Sequence, residues 1–278
     1  MELNSLIISI ASMGGLGFLF AAGLSLAHKK LYVEEDPRIS LVLDELPGAN
    51  CGGCGYPGCA SFAENLVSGD VNIGGCPVSG DEAIEEVGNI LGIVVEKRER
   101  KIARILCQGG IYETARKATY DGIKTCIAAT LVNGGDKLCR YGCIGFGDCV
   151  QVCPFGAIKM DENGLPVVDS EKCTGDGNCV DACPRGIIEL HPESHQLFVL
   201  CKNEDAPKEA RKACLTACIG CGICVRAVEE EQIVMENNLA IINYDLYSKE
   251  PVLPTEKCPT NCLVVIPKET PLEVKALA

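Results

Sequence analysis

The chain contains no tryptophan, and only 5% of its 278 residues are aromatic. A large aromatic-rich core is therefore not what holds it together. Positive charge is also scarce: 25 Lys and Arg stand against 38 Asp and Glu, for a formal net charge of −13. Phosphate neutralisation needs clustered cations, so nucleic-acid binding is disfavoured. No Gly-rich dinucleotide fingerprint follows a strand-like run, so a nucleotide site of that type is not expected here. From Leu6 to Ala27 there is no charged residue at all. A helix rising about 1.5 Å per residue crosses the hydrocarbon layer of a bilayer in about 20 such residues. No Lys or Arg precedes the run, so the charged start of a secretory signal is missing. His28, Lys29 and Lys30 follow at once, which predicts a single-pass anchor with the remaining chain on the cytoplasmic side of the cell membrane. Gly14, Gly15, Gly17 and Gly23 leave notches suited to packing against other membrane helices.

What the chain has in abundance is cysteine, twenty in all. The clearest run is Cys218-Ile-Gly-Cys221-Gly-Ile-Cys224, the C-x₂-C-x₂-C spacing that wraps three irons of a [4Fe–4S] cube. Thiolates are soft ligands for iron, and intervening glycines let the backbone fold close around the cube. A second run, Cys51-Gly-Gly-Cys54-Gly-Tyr-Pro-Gly-Cys59, is closed by Cys76 and reads as one complete four-thiolate site. Residues 60 to 67 look like a short helix returning the chain to that site. Ser79-Gly-Asp-Glu82 reads as a capping box for a helix ending near Gly92. Many of these cysteines are too close for easy bridging, so a disulfide scaffold is disfavoured and a reducing compartment is expected.

Two further blocks align without gaps: Cys139 with Cys214, Cys143 with Cys218, and Cys149 with Cys224. Upstream, Ile105-Leu-Cys107 corresponds to Val199-Leu-Cys201. Downstream, each block carries a hairpin signal, turning at Asn163-Gly164 and at Asn237-Asn238, and each hairpin leads to a Cys-Pro, at Cys183 and Cys258. The pattern predicts an internal repeat of a small βαβ-like unit. In a two-cluster ferredoxin unit the Cys before Pro serves the other cluster. On that rule Cys139, Cys143, Cys149 and Cys183 share one site, with Cys139 filling the place vacated by Phe146. Cys153, Cys173 and Cys179 share another, with Asp176 where the middle cysteine belongs. Asp176 is open to three readings: a harder carboxylate ligand, a free neighbour of a three-iron cluster, or a loop residue with no cluster. Cys218, Cys221, Cys224 and Cys258 make a full set. Val228 and the cysteine-free stretch 244–257 mark a lost partner site. Cys107, Cys126, Cys201, Cys214 and Cys262 remain. They are buried free thiols or, for the first four, one further site, with Cys262 spare.

The order of apolar helix, Asn50–Cys59 motif and ferredoxin repeats resembles the B subunit of the Rnf complexes over the whole chain. The resemblance implies an electron-transfer subunit of a membrane-bound ferredoxin:NAD oxidoreductase that translocates ions. It takes electrons from reduced ferredoxin and hands them to membrane subunits, while having no substrate-converting site of its own. The Cys51 motif alone is also similar to one in corrinoid iron–sulfur proteins, so an electron-feeding subunit of a corrinoid or CO-oxidising enzyme is an alternative, as is a membrane redox sensor. The expected architecture is α+β. It runs as an anchor over 1–30, a four-cysteine module over 31–82, a spacer over 83–132, and ferredoxin-like units over 133–190 and 191–278. The expected cofactors are three to four [4Fe–4S] clusters, one of them altered at Asp176. Ferredoxin docking calls for a basic patch, at Lys97 to Arg104 or at Lys208, Arg211 and Lys212.

Overall fold

The computed structural model describes residues 3–31, 36–95, 98–229, 231–247 and 254–267. Glu34, Glu35, Lys97 and residues 248–253 of the cysteine-free stretch lie outside the described residues. The first helix, α1 (Leu3–Leu31), is apolar all round, with Ile8, Met13, Phe18, Phe20 and Leu24 exposed. Its segment Ile7–Leu31 is long and apolar enough to cross a membrane, and none of its most apolar window is buried against the protein. The four glycines meet nothing within 4 Å, so the predicted notches are open.

Helices α2 (Pro37–Glu45), α3 (Cys59–Ser68) and α4 (Asp81–Leu91) form the next unit. Asp36 caps α2 by accepting from Arg38 N at 2.9 Å, and Pro37 opens the helix where no N–H is needed. The helix expected over 60–67 is α3. α4 ends at Gly92, in the left-handed conformation at φ +68, as the sequence predicts. The capping box does not form, because Gly80 rather than Ser79 occupies the N-cap position. Val42, Phe62, Ala63, Leu66, Ile73 and Val87 make the shared core, on which Cys76 is also buried. Burial of Phe62 alone is worth about 1.5–3 kcal/mol.

The remaining chain pairs its strands antiparallel, in four two-stranded sheets among the described residues. Strand β1 (Lys101–Ile105) is followed by α5 (Cys126–Leu131) and α6 (Asp148–Gln151). The hairpin β2 (Ile158–Met160) and β3 (Pro166–Val168) comes next, then α7 (Asn178–Asp181) and β4 (Ile188–Pro192), which pairs with β1. The second copy runs β5 (Leu197–Val199), α8 (Pro207–Ala213), hairpin β6 (Ile233–Glu236) and β7 (Leu239–Ile242), and β8 (Leu263–Val265), which pairs with β5. Both hairpins fall where the sequence places them. Asn237 and Asn238 take φ +46 and +65, the left-handed pair that a tight two-residue turn demands.

The expected spacer over 83–132 is not a bare connection. It supplies β1, whose Ile102 and Ala103 are buried in the core of the following unit, and α5 with Cys126. Likewise β4 runs across the boundary drawn at residue 190, because its partner strand lies upstream of both units.

Candidate iron–sulfur sites

All twenty cysteines carry free thiols. In the N-terminal module, Gly52 and Gly55 adopt φ +76 and +85, so the loop doubles back and Gly55 N bonds Gly52 O at 2.8 Å. This folds Cys51 and Cys54 towards Cys59 at the start of α3, whose N–H is held by Asn50 Oδ1 at 2.9 Å. Cys76 closes the set after the helical turn Ile73–Gly75. The Arg98 guanidinium binds the carbonyls of Gly74 (2.5 Å), Cys76 and Ser79 (3.3 Å) and so fixes this closing segment.

The Asp176 loop lies directly against that module. A Cβ on Gly53 would meet Asp176 O at 2.7 Å, and Asn178 Nδ2 donates to Cys51 O at 3.1 Å. Asp176 turns its carboxylate to Asn178, accepting from the backbone N–H at 3.2 Å. Cys173 is held at both ends: Ala103 N donates to its sulfur at 3.4 Å, and Arg100 to its carbonyl at 2.7 Å. Burial first, then the neighbouring Cys173 and Asp176, pushes Cys179 up to about 12. Cys153 and Cys183 pack against this same core.

Three small, partly open chambers gather the other thiols. One is lined by Cys126, Cys143, Cys149 and Cys183. Cys126 stands at the start of α5, where the buried Asp148 carboxylate accepts from Cys126 N (2.8 Å) and Ile127 N (3.1 Å). Phe146 is covered by the ring of Tyr120, 5.5 Å away, and by Lys124. The second chamber is lined by Cys218, Cys221, Cys224, Cys258 and Cys262. The Cys258 and Cys262 sulfurs are 3.6 Å apart. That contact, and then the backbone N–H groups of Thr260 and Leu263, draws Cys258 down to about 4, while Cys262 moves the opposite way. The third is lined by Cys107, Cys139, Cys201 and Cys214.

These chambers correct the expected grouping. Cys139 does not line the chamber of Cys143, Cys149 and Cys183; Cys126 does. Cys143 sends its N–H to Cys107 Sγ (3.3 Å) while lining the first chamber. Of the four leftovers, Cys107, Cys201 and Cys214 line one chamber together with Cys139, and Cys126 lines another. Cys262, expected to be spare, lines a chamber.

The chambers suit iron–sulfur cubes. Among the described residues no three His, Cys, Asp or Glu side chains converge tightly enough to grip a single ion. A cube, with irons at separate corners, needs thiols spread round a space instead. Backbone N–H groups also point at sulfur, as at Cys173, Cys107 and Cys201. Burial holds Cys201 up to about 12 and Cys149 to about 11, so only metal coordination makes thiolates of them at neutral pH.

Two family models match the chain: one described as an Fe-S cluster over residues 46–78, and a 4Fe-4S dicluster domain over 142–187. The B subunit of the Na(+)-translocating ferredoxin:NAD(+) oxidoreductase complex of Acetobacterium woodii is 45% identical, over 94% of this chain and 78% of the relative. The B subunit of the ion-translocating oxidoreductase complex of Methanosarcina acetivorans is 40% identical, over 86% of this chain and 91% of its own. The B subunit of the proton-translocating ferredoxin:NAD(+) oxidoreductase complex of Clostridium ljungdahlii is 36% identical, over 98% and 96%. The chain belongs to the B-subunit family of ion-translocating oxidoreductase complexes.

Reasoning from the sequence grouped Cys126 with Cys107, Cys201 and Cys214, whereas in the structure it lies beside Cys143, Cys149 and Cys183. The available signal was a length difference: the Cys107–Cys139 interval is nineteen residues longer than the equivalent Cys201–Cys214 interval, and Cys126 sits in the excess. Within the Lys97–Arg104 stretch, Arg98 and Arg100 bind backbone carbonyls beside Cys76 and Cys173, Arg104 is only 8% exposed, and Arg100 and Lys101 stay exposed. Lys208, Arg211 and Lys212 on α8 remain exposed.

Proposed function

We propose that this chain is the electron-carrying subunit of a membrane-bound ferredoxin:NAD oxidoreductase, taking electrons from reduced ferredoxin and passing them to membrane subunits of an ion-translocating complex. Bound iron–sulfur cubes supply one-electron storage and release at potentials set by their surroundings. The chain's own residues do the rest. Cys51, Cys54, Cys59 and Cys76 hold one cube. Cys126, Cys143, Cys149 and Cys183 hold a second. Cys153, Cys173 and Cys179 hold a third, with Asp176 as fourth ligand or near neighbour. Cys218, Cys221, Cys224 and Cys258 hold a fourth. Residues 101–192 and 197–266 are read as two copies of a ferredoxin-type unit, so β1 belongs to the first copy.

The observation that carries this reading is the contact between the Cys51 loop and the Asp176 loop, sealed by the Asn178–Cys51 hydrogen bond. It brings the N-terminal module against the first repeat, as a relay requires. Backbone N–H groups aimed at sulfur, and the apolar walls around each chamber, set the local field and exclude water. Helix α1 anchors the chain in the bilayer, and His28, Lys29 and Lys30 keep the cysteine-bearing part on the cytoplasmic side. The exposed cations of α8 offer a docking face for an acidic ferredoxin.

Inverted membrane vesicles test the reading. Ferredoxin-dependent NAD⁺ reduction should vanish without this chain, return with the full chain, and not return with a chain lacking residues 1–30. Vesicles that keep full activity without the chain reject the proposal.

A further inference from the structure

We propose that Cys107, Cys139, Cys201 and Cys214 form a fifth iron–sulfur site, taking a [4Fe–4S] cluster and built jointly by the two repeats. The inference rests on reading the other cysteine chambers as cluster sites. Its own support is a near-symmetry that no single motif contains. Each repeat contributes the same two positions: the cysteine after its first strand, Cys107 or Cys201, and the cysteine four before its ferredoxin run, Cys139 or Cys214. The hydrogen bonds repeat as well. Cys143 N donates to Cys107 Sγ at 3.3 Å, and the equivalent Cys218 N donates to Cys201 Sγ at 3.3 Å. Leu106 N bonds Ile187 O at 2.7 Å, and Leu200 N bonds Cys262 O at 2.7 Å. Neither family model reaches Cys107, Cys139, Cys201 or Cys214.

The chamber is dressed for a charged guest, not for idle thiols. Asn203 donates through its backbone N–H to Cys201 Sγ (3.4 Å) and through Nδ2 to Cys139 Sγ (3.7 Å). The Thr216 hydroxyl lies 3.3 Å from Cys214 Sγ. Lys137 is 7% exposed, lines the chamber and donates to Gly109 O at 2.9 Å. A buried ammonium is costly unless negative charge compensates it, and four thiolates provide that charge. Glycine keeps the walls close: a Cβ on Gly109 would sit 3.1 Å from Cys214 Sγ, and one on Gly142 would sit 3.4 Å from Cys139 Sγ. Through Cys143 and Cys218, the site lies between the chambers of the two repeats, which otherwise share no cysteine.

The full chain, purified and reconstituted without oxygen, tests this by iron and acid-labile sulfide content and low-temperature EPR of the reduced protein. Cys201→Ala should hold about four irons and about four sulfides fewer than the parent. Cys201→Ala with parental iron and spectrum overturns the fifth site and leaves the relay intact. A parent without iron overturns the relay reading itself. Should Cys201→Ala fail to fold, Thr216→Val decides. It removes only the hydroxyl beside Cys214, and should move one component of the spectrum at unchanged iron. An unmoved spectrum rejects the site.

Discussion

The two copies proposed above, residues 101–192 and 197–266, share a frame but use their cysteines differently. Equivalent positions lie seventy-five apart from Cys139 onward, and the strand that opens each copy pairs with the strand after its Cys-Pro. Close approaches are reproduced too. A Cβ on Gly145 would meet Gly164 O at 3.1 Å, and one on Gly220 would meet Asn238 O at 2.9 Å. Within this frame the second repeat keeps three in-line thiols at Cys218, Cys221 and Cys224. The first has Phe146 at the middle position and draws Cys126 from an insertion. The second has Val228 where the first has Cys153, and no counterparts of Cys173 and Cys179. The hairpins and strand pairs are thus the same in both copies while the cysteine positions differ.

The largest test of that contrast exchanges the two solutions. Cys126→Ala should remove about four irons from the full chain. Adding Phe146→Cys, which gives the first repeat the in-line cysteine of the second, should restore them. Cys139→Ala should also lose about four irons, but from the same EPR component as Cys201→Ala and not the one lost in Cys126→Ala. If Cys126→Ala keeps its iron, the insertion is only packing and the contrast between repeats dissolves.

That outcome bears on how much was legible beforehand. Short-range chemistry read well: the Asn-Asn turn, α3, α4 and the Cys51–Cys76 module all fall where spacing and turn residues put them. The partition of Cys139 and Cys126 did not. Cys126 is held in place by Asp148, a residue 22 positions away that caps α5 from outside, which no local pattern contains. The basic run is similar: Arg98 and Arg100 look like surface charge in one dimension, but each also binds backbone carbonyls of the loops around Cys76 and Cys173.

Asp176 offers the next largest effect, because it stands in the repeat that retains Cys153, Cys173 and Cys179. Asp176→Cys supplies the in-line thiol. It should leave iron constant if the carboxylate already ligates, while shifting the potential of one component. A gain of about one iron marks a three-iron cluster instead, and a gain of about four marks a site that Asp176 leaves empty. Smaller still is the effect expected at α8, which has no counterpart among the helices of the first repeat. Lys208→Glu with Arg211→Glu should raise the KM for ferredoxin several-fold with kcat and iron content nearly constant, most clearly at low salt. Unchanged kinetics would remove α8 as the docking face.

The finest difference between the repeats is Cys262, whose counterpart is the apolar Ile187. Its sulfur lies 3.6 Å from Cys258, the equivalent of Cys183, so the second repeat has five thiols where the first has four. On the proposed assignment Cys258, by its position in the repeat, is the ligand, and Cys262 is the donor to it. A donor to sulfur stabilises the more negative, reduced state, and one such bond is worth about 0.5–1.5 kcal/mol. For a one-electron couple this corresponds to roughly 20–60 mV, so Cys262→Ala should lower one potential by that order and retain its iron. Cys258→Ala should instead lose about four irons. The reverse pattern, with iron lost in Cys262→Ala and kept in Cys258→Ala, would show that the second repeat has moved its closing ligand past the Cys-Pro position, a larger departure from the first repeat than the insertion of Cys126.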